Sequence, residues 1–288
     1  MANLKNIRKR ILSVKSTQQI TNAMKMVAAA RLKKAQDRIE TMRPYAEKMA
    51  EILASVALRT NPDAHPLLIQ RPPEKIMLVL LTSDKGLCGA FNQNIIKTAE
   101  TFIKNNRKKY SDIHLTIVGK KGYEFFKKRD TQIYKDYVGI SGKLDFTLAR
   151  KISVDLSERF LKAMADEVYL IYNRFNSAIN QELIFNRLLP ITPLELPEDN
   201  LALEYLFEPT ETEILDGLLF RNIETQIFRS LLESEASELG ARMTAMESAT
   251  SNADDMIDKL TLEYNRARQE SITNELMEII GGAEALKS

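Results

Sequence analysis

The chain is poor in the residues that carry most site chemistry. Cys88 is the only cysteine among 288 residues, so no internal disulfide forms, which suits a reducing compartment. The two histidines, His65 and His114, lie in no pairing that would activate a nucleophile, and no His, Cys, Asp or Glu spacing fits a metal site. No run reaches the roughly 18 apolar residues of a membrane span, and no secretory signal is visible. Acids are missing from one end: Met1 to Gln36 hold nine Lys or Arg and no Asp or Glu. Such a start also fits a transit peptide, but the apolar repeat runs on past Asp37 without a cleavage-like break. A formal net charge of +2 gives no bulk attraction to nucleic acid.

What is abundant is heptad order at both ends. Ala28, Leu32, Ala35, Ile39, Met42, Ala46, Met49, Leu53 and Val56 advance by alternate steps of four and three, and Leu4, Ile7, Ile11 and Val14 hold the same phase further back. Near the other end Leu239, Met243, Met246, Thr250, Ala253, Ile257, Leu260, Tyr264 and Ala267 repeat the pattern, and Leu276, Ile279, Ala283 and Leu286 resume it after a slip. A strict seven-residue repeat keeps one narrow seam facing a partner helix, so the two ends are expected to pair as a coiled coil. At a rise of about 1.5 Å per residue the helices would be roughly 80 and 110 Å long, more than a small domain can bury. Pro209, Thr210 and Glu213 give a start signal for the second helix. Asn61-Pro62 and Pro72-Pro73 close the first, and Pro44 is expected to kink it.

The middle reads as an α/β domain. Residues 75–82, 114–119, 133–138 and 167–172 are short apolar or β-branched runs separated by helical stretches at about 92–109, 121–128 and 145–165, an alternation that predicts a mostly parallel sheet. A last strand is expected over 182–189, before a Pro-rich connection. The expected divisions are 1–60, 74–200 and 209–288.

Phosphate chemistry is weakly signalled. The loop Ser83 to Gly89 follows a strand and precedes a helix, the place where dinucleotide folds cradle phosphate, yet it has neither a G-x-G-x-x-G nor a G-x-x-x-x-G-K-[ST] spacing. Its glycines, like Gly119 and Gly122, read as turn formers, and Cys88 as a small buried thiol. No catalytic, cofactor-binding or metal residue is assigned. Partner-facing features are stronger. Ile20 to Ala30 is apolar around most of the helix and reads either as a helix buried in its own domain or as a smooth surface enclosed by another protein. Leu276 to Leu286 has few charges and is expected to be disordered or greasy unless a sleeve covers it.

The segments ITNAMKMVAAARLKKAQ, RPYAE, SDKGLCGAFN, ARMTAMESATSNA and YNRARQESITNELMEIIGGAEAL, collinear over nearly the whole chain, resemble the γ subunit of the F-type ATP synthase, bacterial type. The resemblance implies a long antiparallel coiled coil of the terminal helices with a central Rossmann-like α/β domain, and a rotor without bond chemistry or cofactor. It implies contact with the α and β subunits of an α3β3 ring, with ε and with a membrane ring of c subunits, peripheral to the cytoplasmic face of a bacterial membrane. By the same likeness Met24 and Lys25 meet an acidic lever of β, and Arg268, Gln269 and Thr273 engage a β loop. Leu276, Ile279, Ile280, Ala283 and Leu286 correspond to a tip in a hydrophobic bearing. A coiled-coil scaffold, or a nucleotide-binding α/β enzyme with a helical arm, is the alternative.

Overall fold

A computed structural model describes residues 2–59, 65–192 and 211–285. It contains α1 (Ala2–Arg59), β1 (Lys75–Leu81), α2 (Phe91–Asn106), β2 (Asp112–Val118), α3 (Lys120–Phe126), β3 (Gln132–Tyr137), α4 (Phe146–Leu161), β4 (Glu167–Phe175), β5 (Gln181–Leu189) and α5 (Glu211–Ala285). The chain folds as two compact units, Ala29–Arg242 and the pair of terminal segments Met1–Ala28 and Met243–Ser288. The start signal at Pro209 and Thr210, the Asn61-Pro62 stop and Leu286 lie outside the described residues, as do the side chains of Glu213 and Ala283. Helix α1 runs through Pro44.

In the larger unit the strands lie in the order β3-β2-β1-β4-β5. β1 is parallel to β2 and β4, β2 is parallel to β3, and β5 is antiparallel to β4. β1 (KIMLVLL) is buried almost throughout because it is the central strand, covered on both faces. Alternation sends Met77, Val79 and Leu81 into one core with α4 residues Ile152, Leu156 and Phe160. Ile76, Leu78 and Leu80 enter the other, with Ile95 and Ala99 of α2 and Phe126 of α3. This division follows from connection handedness. The chain steps outward from β1 to β2 to β3, then returns past β1 to β4, and right-handed crossovers in opposite directions leave their helices on opposite faces. A switch point therefore opens between the carboxyl ends of β1 and β4.

The first core is completed by Leu53 and Val56 of α1 and by Leu215, Leu219, Ile223, Ile227 and Leu231 of α5, a line that advances by fours rather than by heptads. Across this unit the two long helices run antiparallel. Arg38 pairs with Glu235 at 3.2 Å, and Arg221 donates to the Tyr45 hydroxyl at 3.2 Å.

The smaller unit is an antiparallel pair of helical segments. Ile7, Thr21 and Ala28 are buried in α1, and Met246, Ala253 and Leu260 in α5, all at heptad positions. Like the larger unit it buries a seam, but it has no sheet to cover the remaining helix surface.

Candidate functional site

The switch point is where doubly wound folds place ligands, so its contents bear directly on function. Here the chain fills it. Ser234 Oγ of α5 donates to the Leu81 carbonyl at 3.3 Å, and Ser237 Oγ donates to the Asn173 carbonyl at 2.9 Å, closing the ends of β1 and β4. The loop after β1 is held by its own groups. Ser83 N–H donates to Asn92 Oδ1 at 2.9 Å, and the Ser83 hydroxyl donates to the Lys85 carbonyl at 2.6 Å. Asp84 accepts the backbone N–H groups of Lys120, Gly139 and Ser141 at 3.0, 3.0 and 2.8 Å. Arg242 of α5 donates to the Gly86 carbonyl at 3.1 Å and pairs with Glu238 at 2.7 Å. The space left among Ser83, Asp84, Ser141, Ser234, Glu235 and Glu238 is about 40 Å³, far below the several hundred a nucleotide-sized ligand needs.

Burial sets the electrostatics of this region. It pushes the Cys88 thiol upward from its ordinary pKa, with hydrogen bonding to Ser83 as the main opposing influence. Such a thiol is less nucleophilic, in keeping with Cys88 as a packing residue that accepts from Asn92 Nδ2 at 3.2 Å. Burial likewise raises the Glu238 and Glu235 carboxyls above their ordinary range, partly offset by Arg242 for the first and Arg38 for the second. Among the described residues no group of three His, Cys, Asp or Glu side chains is placed to hold a metal ion. No described helix is long and apolar enough to cross a membrane.

The smaller unit presents the opposite situation, an open surface. Ile20, Met26, Val27, Met256 and Leu262 are exposed, as are Ile272, Leu276, Met277, Ile279 and Ile280 toward the end of α5, where Ile279 reaches 68 %. Of the residues picked out in the sequence, Met24 and Lys25 are half-buried along the seam, and Lys25 Nζ pairs with Glu247 at 2.8 Å. Arg268, Gln269 and Thr273 are exposed together on α5. The Thr273 hydroxyl donates to the Gln269 carbonyl one turn back at 2.9 Å, which leaves its lone pairs to accept from a partner. Leu276, Ile279 and Ile280 are exposed; the side chain of Ala283, and Leu286 altogether, lie outside the described residues.

Two features escaped the sequence reading. Glu247, Thr250 and Asp254 face Lys25, Thr21 and Gln18 across the seam, and the signal was present, since positions 18, 21 and 25 continue the heptad phase from Val14 to Ala28. The serines that close the switch point also carried a signal, since Ser230, Ser234 and Ser237 recur at helical spacing on one face of the helix.

Comparison with known proteins agrees along the full length. A family model described as ATP synthase matches residues 3–286. An ATP synthase gamma chain from Geobacter sp. (strain M21) is 50 % identical over the whole of both chains. One from Anaeromyxobacter sp. (strain Fw109-5) is 47 % identical, again over the whole of both. Among solved structures, the central stalk and c-ring of Tetrahymena thermophila mitochondrial ATP synthase matches with 30 % identity and a TM-score of 0.62, covering 80 % of this chain and 99 % of that one. The rotor of Euglena gracilis mitochondrial ATP synthase matches in fold at 20 % identity and a TM-score of 0.67, covering 94 % and 99 %.

Proposed function

The chain belongs to the ATP synthase family, and from that premise we propose that it is the γ-type central rotor of a bacterial F-type motor, coupling ion passage through a c-ring to ATP synthesis or hydrolysis on β subunits. The observation that carries this reading is the inverted surface of the smaller unit. At Ile20, Met26 and Val27 apolar side chains point outward while Gln18, Thr21 and Lys25 occupy the seam. Apolar surface of that kind on a slender helix pair marks a face that a partner covers.

The chain itself is non-catalytic on this reading, and the crevice at the switch point, where folds of this topology take a nucleotide, is closed by Ser234 and Ser237. The ring of α and β subunits encloses the smaller unit, while the larger unit meets ε and the c-ring. The assembly lies peripheral to the membrane on its cytoplasmic face. A rotor passing three similar β surfaces cannot keep one strong lock, since a contact biases an equilibrium only when it differs between states. Broad apolar contact at Leu276, Ile279 and Ile280 keeps barriers low, with Ala283 and Leu286 continuing it. Arg268, Gln269 and Thr273 supply a few directional donors and acceptors that engage a β loop at one angle, and Met24 and Lys25 meet an acidic β segment.

The test is assembly followed by turnover. Co-purification with α, β and ε is expected, and replacing Arg268 and Gln269 together by Ala is expected to leave assembly intact while slowing ATP hydrolysis and weakening proton pumping. Failure to assemble with α and β would overturn the rotor assignment. Unchanged hydrolysis and pumping in an assembled double variant would overturn the catch.

A further inference from the structure

The seam of the smaller unit changes character along its length. In heptad phase α1 offers Ile7, Ile11 and Val14, then Gln18, Thr21 and Lys25, and then Ala28. The three successive polar members each meet a polar partner on α5. Gln18 Nε2 donates to Asp254 Oδ1, Lys25 Nζ donates to Glu247 Oε1 at 2.8 Å, and the hydroxyls of Thr21 and Thr250 lie 2.8 Å apart. Each threonine also has a carbonyl of the preceding turn within reach, Gln18 at 3.0 Å and Met246 at 2.8 Å, so one hydroxyl donates across the seam while the other donates within its own helix.

A purely apolar seam is indifferent to a slip of one heptad, because the next repeat offers similar knobs and holes. Polar members remove that indifference. Thr21 is 8 % exposed, and Thr250 has Met243 and Ile257 one heptad to either side. A slip therefore sets the Thr21 hydroxyl against an apolar side chain and breaks its hydrogen bond, while Gln18 and Lys25 lose their present partners. The slipped state forfeits the three present bonds across the seam together and seats the Thr21 hydroxyl, left with only the Gln18 carbonyl, against apolar surface.

We propose that Gln18–Asp254, Thr21–Thr250 and Lys25–Glu247 form a register pin, which holds the two helical segments against sliding when the coil is loaded along or around its axis. Here Lys25 acts within the chain, whatever it meets outside. The pin accounts for polar groups at three successive positions where apolar residues would pack more tightly; it trades cohesion for a single alignment.

Engineered cysteines read the register directly. Moving seven residues from Thr21 and from Thr250 in opposite directions sets Val14 opposite Ile257, so in a Cys88→Ser background Val14→Cys with Ile257→Cys reports the native alignment. Ile7→Cys with Ile257→Cys reports the slip of one heptad that moves Lys25 away from both Glu247 and Asp254. In the full chain oxidative cross-linking is expected for the first pair and not for the second. K25E is expected to shift the ratio of the two products toward the slipped pair by about two- to fivefold, the size of one half-exposed ion pair, and K25E with E247K to restore it. Thr21→Val with Thr250→Val is expected to raise the melting temperature while broadening the register. An unchanged product ratio in K25E and in the double Val variant, or a charge swap no better than K25E, would overturn the pin. Restored register with turnover still slow in the assembled charge swap leaves the pin standing and assigns Lys25 a separate contact with β.

Discussion

Ser237 Oγ on α5 donates a 2.9 Å hydrogen bond to the carbonyl of Asn173 near the end of β4, and with this contact a helix of the chain occupies the place that a nucleotide takes in related folds. Both residues are buried, Ser237 completely. The larger unit thus has the topology of a ligand-binding fold with its crevice filled from within, which makes the switch point a structural joint.

Ser237→Ala removes that donor with little change in volume and leaves a buried carbonyl short of a partner. A loss of about 1–2 kcal/mol in unfolding free energy is expected. Urea denaturation of the full chain measures it, and a change within a few tenths would show that the hydrogen bond carries no net stability.

Gly119 is indispensable for two separate reasons. Its φ of +94° lies where L side chains are strained, and a Cβ built there would stand 2.0 Å from the Thr82 carbonyl oxygen. The neighbouring turn is tight because Thr82 Oγ1 accepts from Gly122 N–H at 3.0 Å and donates to the Val118 carbonyl at 2.8 Å. Gly119→Ala is expected to destabilise the larger unit by more than about 3 kcal/mol or to prevent its folding. Soluble yield and thermal melting check this, whereas Gly139→Ala meets no atom within 4 Å and leaves only its φ of +73° as a penalty.

Acid should favour this part of the fold. Burial raises the folded-state pKa of Glu238 and Glu235 above the unfolded value. Their contribution to stability is then fully present below the ordinary glutamate pKa of about 4.3 and is lost as pH rises through the raised values. Glu235→Gln, which keeps a hydrogen-bond acceptor for Arg38, is expected to flatten the fall in stability over the interval of rising pH above the ordinary glutamate range. Urea midpoints across that interval test it, and parallel curves for variant and parent would rule Glu235 out as a source of the slope.

At the end of α5, Ile279→Asp with Ile280→Asp should leave the stability of the isolated chain unchanged within about 0.5 kcal/mol, because both side chains are already exposed. The same change is expected to lower ATP-driven proton pumping in the assembled motor. Full pumping by an assembled variant would remove the tip from the bearing.

The heptad line of α1 was legible because periodicity is a local property of the chain. Leu32, Ala35, Ile39, Leu53 and Val56 are buried where the repeat placed them. Strands and connecting helices were legible for the same reason, from runs of apolar and β-branched residues. The terminal motifs carried the family resemblance in their residues alone. Strand order was not legible, since which strands become neighbours depends on crossover direction, and apolar runs are alike in every order. The step of four from Leu215 to Leu231 was also hidden: that stretch packs into a core shared with the sheet, so its spacing answers to neighbours distant in sequence.

What the sequence by itself determined was two long helices that must find partners and an alternating α/β segment between them. Tertiary structure alone decided that α5 closes the switch point, because Ser237 meets Asn173 only after the sheet has formed. It alone decided that Lys25 lies 2.8 Å from Glu247. Heptad spacing specifies that two helices meet along a seam; only their antiparallel alignment specifies which polar residues stand opposite one another, and hence which groups are paired and which remain for a partner.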